Sequence, residues 1–192
     1  MRLQSPSFKS VFSTIKSQKI LKKNRENFFV ILTEPNTNLY NYPLYKNADQ
    51  VFCIAVGDNN EKIKFSNLYF HAKNFDIEEQ GSSIYEKKSD IKSTFSLPII
   101  KVSPDYYFNF IKSNFEKNYP SHDYEIVLRV NCEGSEYELL KQAKIIFKDR
   151  FNLALGSLDD VLKYHGESVY NEMLEFLDNE NIDFHVFNTL LT

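Results

Sequence analysis

Leu128-Arg129-Val130-Asn131-Cys132-Glu133-Gly134-Ser135-Glu136-Tyr137-Glu138-Leu139-Leu140 is the stretch on which the fold turns. An apolar run (Ile126, Val127, Leu128, Val130) stops at a polar, acidic turn, and a helix-like segment begins at once. This is the pattern of a strand feeding a helix through a tight loop. Polar side chains then gather at the carboxyl end of the strand, the end at which open α/β sheets bind ligands.

Working outward, the same grammar recurs. Phe28-Phe29-Val30-Ile31-Leu32 is an unbroken apolar run closed by Thr33-Glu34-Pro35-Asn36, and Val51 to Val56 is another, closed by Gly57-Asp58-Asn59-Asn60. Continuous apolar runs predict strands buried on both faces, and the polar tetrads predict turns. Residues 61–70 alternate loosely (Ile63, Phe65, Leu68, Phe70), which predicts a hairpin or edge strand. Residues 71–96 carry the loop signals of a mobile lid. Beyond them the pattern predicts a strand over 97–102, a helix over 106–115 opened by Asp105, a strand over 125–130 and a helix over 135–148. A strand over 151–155, a helix over 169–177 with Met173, Leu174 and Leu177 inward, and a strand over 182–187 complete it. Alternating strands and helices predict an α/β fold with a mostly parallel sheet. The last strand is expected to run antiparallel beside its neighbour, because nothing before it resembles a full crossover of ideal length, and a family resemblance implies this as much as the pattern does.

Residues 1–27 read differently. Phe8, Val11, Phe12 and Ile15 recur at helical spacing, and Lys9, Lys16, Lys19, Lys22, Lys23 and Arg25 supply positive charge. A basic amphipathic helix is expected there, packing its apolar stripe and solvating its charged face. Residues 28–192 are expected to form the main domain.

Composition bounds the classes. The chain has 192 residues, 42% hydrophobic and 26% charged, with 17 Phe, 12 Tyr and no Trp, which is a globular composition. A net charge of -3 is too mild to imply a nucleic-acid partner. No apolar run is long enough for a membrane span. The two cysteines, Cys53 and Cys132, are too few for a disulfide framework and suit a reducing cytoplasm. Cys53, inside an apolar run, is expected to be a small buried residue. The four histidines are scattered without ligand-like spacing, so no metal site is expected.

The motifs also resemble a known family. Arg129-Val130-Asn131-Cys132-Glu133-Gly134-Ser135-Glu136 is similar to the Lys-x-Asp-x-Glu-Gly-x-Glu signature of the FkbM family of S-adenosylmethionine-dependent methyltransferases, with Glu133, Gly134 and Glu136 matching outright. Glu34-Pro35-Asn36, Ala55-Val56-Gly57-Asp58, Gly81-Ser82-Ser83-Ile84-Tyr85 and Gly156-Ser157-Leu158-Asp159-Asp160-Val161 resemble further segments of that family, in the expected order. The resemblance implies a Rossmann-like class I methyltransferase sheet and transfer of a methyl group from S-adenosylmethionine to an oxygen. The implied acceptor is a sugar or another small polar metabolite. It assigns cofactor contact to Glu34, Asn36, Gly57 and Asp58, and the acceptor side to Asn131, Glu133 and Glu136. A carboxylate at the Glu34 position suits a vicinal diol, because it accepts from two hydroxyls at once. Glu133 and Glu136, three apart, are expected to share one face of a helix start. Ser157 is expected to cap a short helix, with Asp160 three residues on.

Two departures qualify what the resemblance implies. Asn131 stands where the family has Asp, and an amide cannot take a proton as a base. The five glycines are Gly57, Gly81, Gly134, Gly156 and Gly166, so no Gly-rich turn precedes the Glu34 strand. That predicts an incomplete domain lacking the first strand, and a sheet edge open to contact between two copies. A catalytically inactive, methyltransferase-like binding or assembly module is the alternative expectation.

Overall fold

A computed structural model of the chain describes residues 23, 25–41, 48–58, 60–70, 82–88, 91–92 and 95–186. The basic helix expected within residues 1–27, Gly81 and much of the expected lid lie largely or wholly outside them. The chain divides into two compact units, residues 1–53 with 188–192 and residues 54–187.

In the first unit, β1 (Ile31–Thr33) and β2 (Gln50–Phe52) pair in parallel, with Leu32 opposite Val51. The Asp49 carboxylate accepts from the Val30 N–H at 2.6 Å and pairs with Arg25, fixing the register at one end. A 3-10 turn, Thr37–Asn41, follows β1 and buries Leu39. The strand is shorter than its apolar run, and Phe28 and Phe29 are exposed. The run 51–56 is not one strand. It breaks after Phe52, leaves Cys53 exposed and resumes as β3 (Ala55–Val56) in another sheet. Expecting Cys53 to be buried was therefore wrong.

The second unit continues with β4 (Ile63–Phe70), β5 (Ser82–Ser83), β6 (Lys87–Lys88), β7 (Ile91–Lys92) and β8 (Phe95–Val102). Strands β3, β8, β4 and β5 form a mixed sheet in that order. β4 pairs antiparallel with β8 along its whole length and, at Tyr69 and Phe70 alone, with the next strand β5, so it forms a hairpin-like pair with β5, as expected. Helix α1 (Pro104–Asn118) starts with proline at its first turn, where the missing N–H costs nothing.

Strand β9 (Ile126–Val130), helix α2 (Glu136–Phe147) and strand β10 (Phe151–Gly156) make a β-α-β unit, β9 and β10 being parallel. Helix α2 carries Tyr137, Leu139, Leu140, Ala143, Ile146 and Phe147 on its buried side, the spacing of an amphipathic helix. These pack with Val130, Phe151 and Ala154 of the strands into a core, each large side chain contributing about 1.5–3 kcal/mol. Phe108 of α1 meets Phe147 edge-on at 5.8 Å between ring centres. Gly156 permits a close backbone approach between β10 and β9, since a Cβ there would lie 2.0 Å from the Val130 carbonyl oxygen.

Helices α3 (Asp159–His165) and α4 (Glu167–Asn179) lead to β11 (Asp183–Val186). β11 is parallel to β10, not antiparallel as expected. The two helices together supply the long crossover that a parallel neighbour needs. Two smaller expectations also fail. Leu174 is exposed, and the cap position of α3 is Leu158, not Ser157. The architecture is thus α/β, with mixed sheets and several parallel strands. No helix among the described residues is long and apolar enough to cross a membrane.

Candidate functional site

The loop between β9 and α2 is built from its own backbone. Glu133 adopts a left-handed conformation (φ 52°) and Gly134 continues it (φ 111°), so the chain reverses sharply before the helix. Glu133 therefore precedes α2 and does not share a helix face with Glu136, contrary to expectation. Inside the reversal lies Glu136, wholly buried. Its Oε1 accepts from the Cys132 N–H at 2.6 Å, and its Oε2 from the Gly134 N–H at 2.9 Å. Burial pushes this carboxyl up to about 7, against those amides and its own N–H, which favour the ionised form; the charge of Asp160 adds to the rise. Glu136 closes the loop on itself.

Three other segments grip the same loop. Ser83 Oγ donates to the Glu133 carbonyl at 2.7 Å and accepts from the Tyr85 N–H at 3.1 Å. His165 Nε2 lies 2.8 Å from the Gly134 carbonyl. A carbonyl only accepts, so Nε2 carries the proton. The Tyr85 ring meets His165 edge-on and Tyr164 at 5.3 Å between ring centres. A Cβ on Gly134 would lie 2.8 Å from the Tyr164 ring, so glycine is required for contact as well as conformation. Burial raises the Tyr85 hydroxyl's pKa, and the nearby Ser135 hydroxyl opposes that rise. The Ser135 hydroxyl is itself buried and makes no hydrogen bond of full geometry.

The turn after β3 reaches this loop from another sheet. A Cβ on Gly57 would lie 2.6 Å from Ser135 Oγ and 2.7 Å from Ile84 Cδ1. Gly57 is there for close packing, whereas the left-handed residue of the turn is Asp58 (φ 59°). The Asp58 carboxylate accepts from Lys101 Nζ at 2.6 Å, Lys64 Nζ at 3.2 Å and the Asn60 N–H at 2.8 Å. Burial raises its pKa, but Lys101 first, then the Asn60 N–H and Lys64, outweigh that and hold it at about 2.

Among the expected acceptor-side residues, the structure gathers Asn131, Glu133 and Glu136 in one loop. Asn131 is exposed at the carboxyl end of β9, while Glu133 and Glu136 are buried. Glu34 and Asn36 belong to the first unit, and Gly57 and Asp58 to the second. Glu34 Oε1 accepts from the Asn36 N–H at 2.7 Å, and its carbonyl accepts from the Tyr40 hydroxyl at 2.7 Å. Asn36 is buried, its Oδ1 accepting from the Asn38 backbone and side-chain amides. Among the described residues no group of acidic, histidine or cysteine side chains is placed to hold a metal.

Sequence reasoning passed over Ser83, Tyr85, Lys101 and His165 as site builders. Ser83 and Tyr85 had a signal in the family-like segment Gly81-Ser82-Ser83-Ile84-Tyr85, and His165 had one as a histidine followed by glycine at a helix end; Lys101 had none. No family model, no curated protein and no solved structure matches this chain.

Proposed function

We propose that the chain is a methyltransferase of the FkbM kind, with a Rossmann-like class I sheet, that methylates an oxygen of a sugar or another small polar metabolite. One observation carries this reading. Gly57 packs on Ser135, so the segment that the resemblance assigns to the cofactor edge touches the segment it assigns to the acceptor. Both sit at the carboxyl ends of strands with parallel neighbours, β3 and β9, where such sheets bind ligands.

The nominated cofactor residues divide on inspection. Glu34 fits in part: its carboxylate stands at a strand end, but one oxygen already accepts from the Asn36 N–H, so diol recognition would draw on the remaining lone pairs. Asp58 does not fit, because its carboxylate is already paired with two lysines. S-adenosylmethionine, when bound, supplies an electrophilic methyl group. The remaining task for the protein is to align an acceptor hydroxyl. Asn131 can orient that hydroxyl by hydrogen bonding but cannot remove its proton, so rate enhancement rests on alignment. The two reduced cysteines accord with a cytoplasmic setting.

A second reading, a catalytically inactive methyltransferase-like binding or assembly module, draws on the amide at 131 and on the internal engagement of Asp58 and Glu136. Thermal unfolding of the full chain with S-adenosylhomocysteine separates the two. A melting temperature that rises and saturates is expected, since a ligand specific for the native state stabilises it, by about 2.7 kcal/mol at a hundred-fold excess over Kd. No rise at millimolar ligand would leave the inactive module as the surviving reading.

A further inference from the structure

Glu136 is the one wholly buried acid among the described residues, and the proposed chemistry does not use its proton. Its two oxygens serve two different donors: Oε1 takes the Cys132 N–H at 2.6 Å and Oε2 the Gly134 N–H at 2.9 Å. That fork needs a carboxylate. A neutral carboxyl carries its proton on one oxygen, which becomes a donor with reduced capacity to accept. A proton on Glu136 therefore weakens one of the two amide bonds, by geometry alone.

The longer bond, to Gly134, is the one to slacken. The peptide that carries this N–H is held at its other end, where the Glu133 carbonyl accepts from Ser83 Oγ at 2.7 Å. Tilting it about that hold changes φ of Gly134, which glycine permits. The surroundings set when the proton arrives. On α3 stand Asp160, its Oδ1 paired with Lys163 at 3.0 Å, and His165, on the Gly134 carbonyl. Glu133 and Glu138 flank Glu136 in sequence. Tyr85 feels the charges of Asp58, Glu136 and Glu138, and Asp58 is itself matched by Lys64 and Lys101. On α4, Glu172 is taken up by the Tyr137 hydroxyl at 2.7 Å. Among the described residues no cation pairs with the Glu136 carboxyl. Burial, with Asp160 adding to it, keeps the proton on up to about 7, against the amides.

We propose that the Asn131–Ser135 loop is a proton-operated catch with two settings: ionised Glu136 holds the Cys132 and Gly134 amides together, and neutral Glu136 keeps Cys132 and loosens Gly134. The tight setting prevails on the alkaline side of the transition and the loose one on the acid side. The loop begins at Asn131, exposed at the carboxyl end of β9, so the catch acts on the rim of the sheet. It does not depend on the methyltransferase reading.

Amide NMR of the full chain tests this. As pH rises, the Gly134 N–H signal is expected to move downfield in one step centred at about 7, together with the Glu136 side-chain carboxyl carbon, and further than the Cys132 N–H. Glu136→Gln, neutral at every pH, should abolish the step and leave Gly134 at its acid-side position. Imidazoles change charge in the same range, so His165→Gln, which keeps a donor for the Gly134 carbonyl, is the control and should leave the step in place. A Gly134 signal that stays fixed, a step that survives Glu136→Gln, or one that His165→Gln abolishes overturns the proposal. An excursion at Cys132 as large as that at Gly134 overturns it too. Should Glu136→Gln not fold, the wild-type chain decides: midpoints of the Gly134 amide and the Glu136 carboxyl carbon that differ sink the proposal, and midpoints that coincide sustain it.

Discussion

Asp58, in the turn after β3, and Glu136, at the first position of α2 beyond β9, are both carboxylates near strand ends, and their surroundings drive them in opposite directions. Asp58 meets two lysine ammonium groups and one backbone amide and is held at about 2. Glu136 accepts from backbone amides, lies deeper in the protein with the charge of Asp160 nearby, and is pushed to about 7. The difference shows what offsets the cost of removing an anion from water. Neutral N–H donors reduce that cost without cancelling it, whereas full positive charges more than cancel it. The first turn is an ion cluster; the second is a hydrogen-bonded plug.

The sharpest way to break this contrast is to remove the plug. Glu136→Leu leaves the Cys132 and Gly134 amides unsatisfied in a buried place, and urea unfolding at pH 5 should show a loss of about 4 kcal/mol. The pH dependence comes next. Glu136 lies above its ordinary 4.5, so the native chain retains a proton that the unfolded chain has released. Its contribution is full below pH 4.5 and declines as pH rises to about 7, by about 3 kcal/mol. Glu136→Gln should flatten that slope, and a slope unchanged in Glu136→Gln would refute the assignment. Asp58 works the other way. Its folded value lies below 3.8, so its contribution is present above pH 3.8 and is lost as pH falls through about 2. Because the group is partly solvated and screened, that loss is about 1 kcal/mol. Lys101→Met should raise the Asp58 pKa, which carboxylate NMR titration would detect. Smallest of all, Ser135→Ala should change stability by about 0.5 kcal/mol or less, because its buried hydroxyl makes no good hydrogen bond. A larger loss would mean that the Tyr85 hydroxyl is a real partner.

Legibility followed the range of the interactions. The β9–α2–β10 unit was readable within a residue or two because a continuous apolar run and a helical stripe are local signals. The break at Cys53 was not, since an apolar run carries no mark of a change of sheet. The direction of β11 was missed because α3 is only 7 residues long and its share of the crossover was not counted. The loop itself was visible as a loop, but not its fastenings. Lys101 lies 43 residues from Asp58, and no short-range pattern encodes such a pairing. Likewise, the need for glycine at position 57 comes from Ser135 and Ile84, not from backbone conformation.

Those long-range fastenings set an order of events during synthesis. The Ser83 hydroxyl has left the ribosome 50 residues before the Glu133 carbonyl it binds, whereas His165 emerges 31 residues after Gly134. On a nascent chain halted short of residue 165, the Asn131–Ser135 loop has one of the two side-chain hydrogen bonds that Ser83 and His165 give it. Contacts of such separation close late, after local helices and turns. In pulse-labelled refolding, the Cys132 and Gly134 amides, held by Glu136 within four residues, should accordingly gain protection together with α2, before the Ser83 and His165 contacts close.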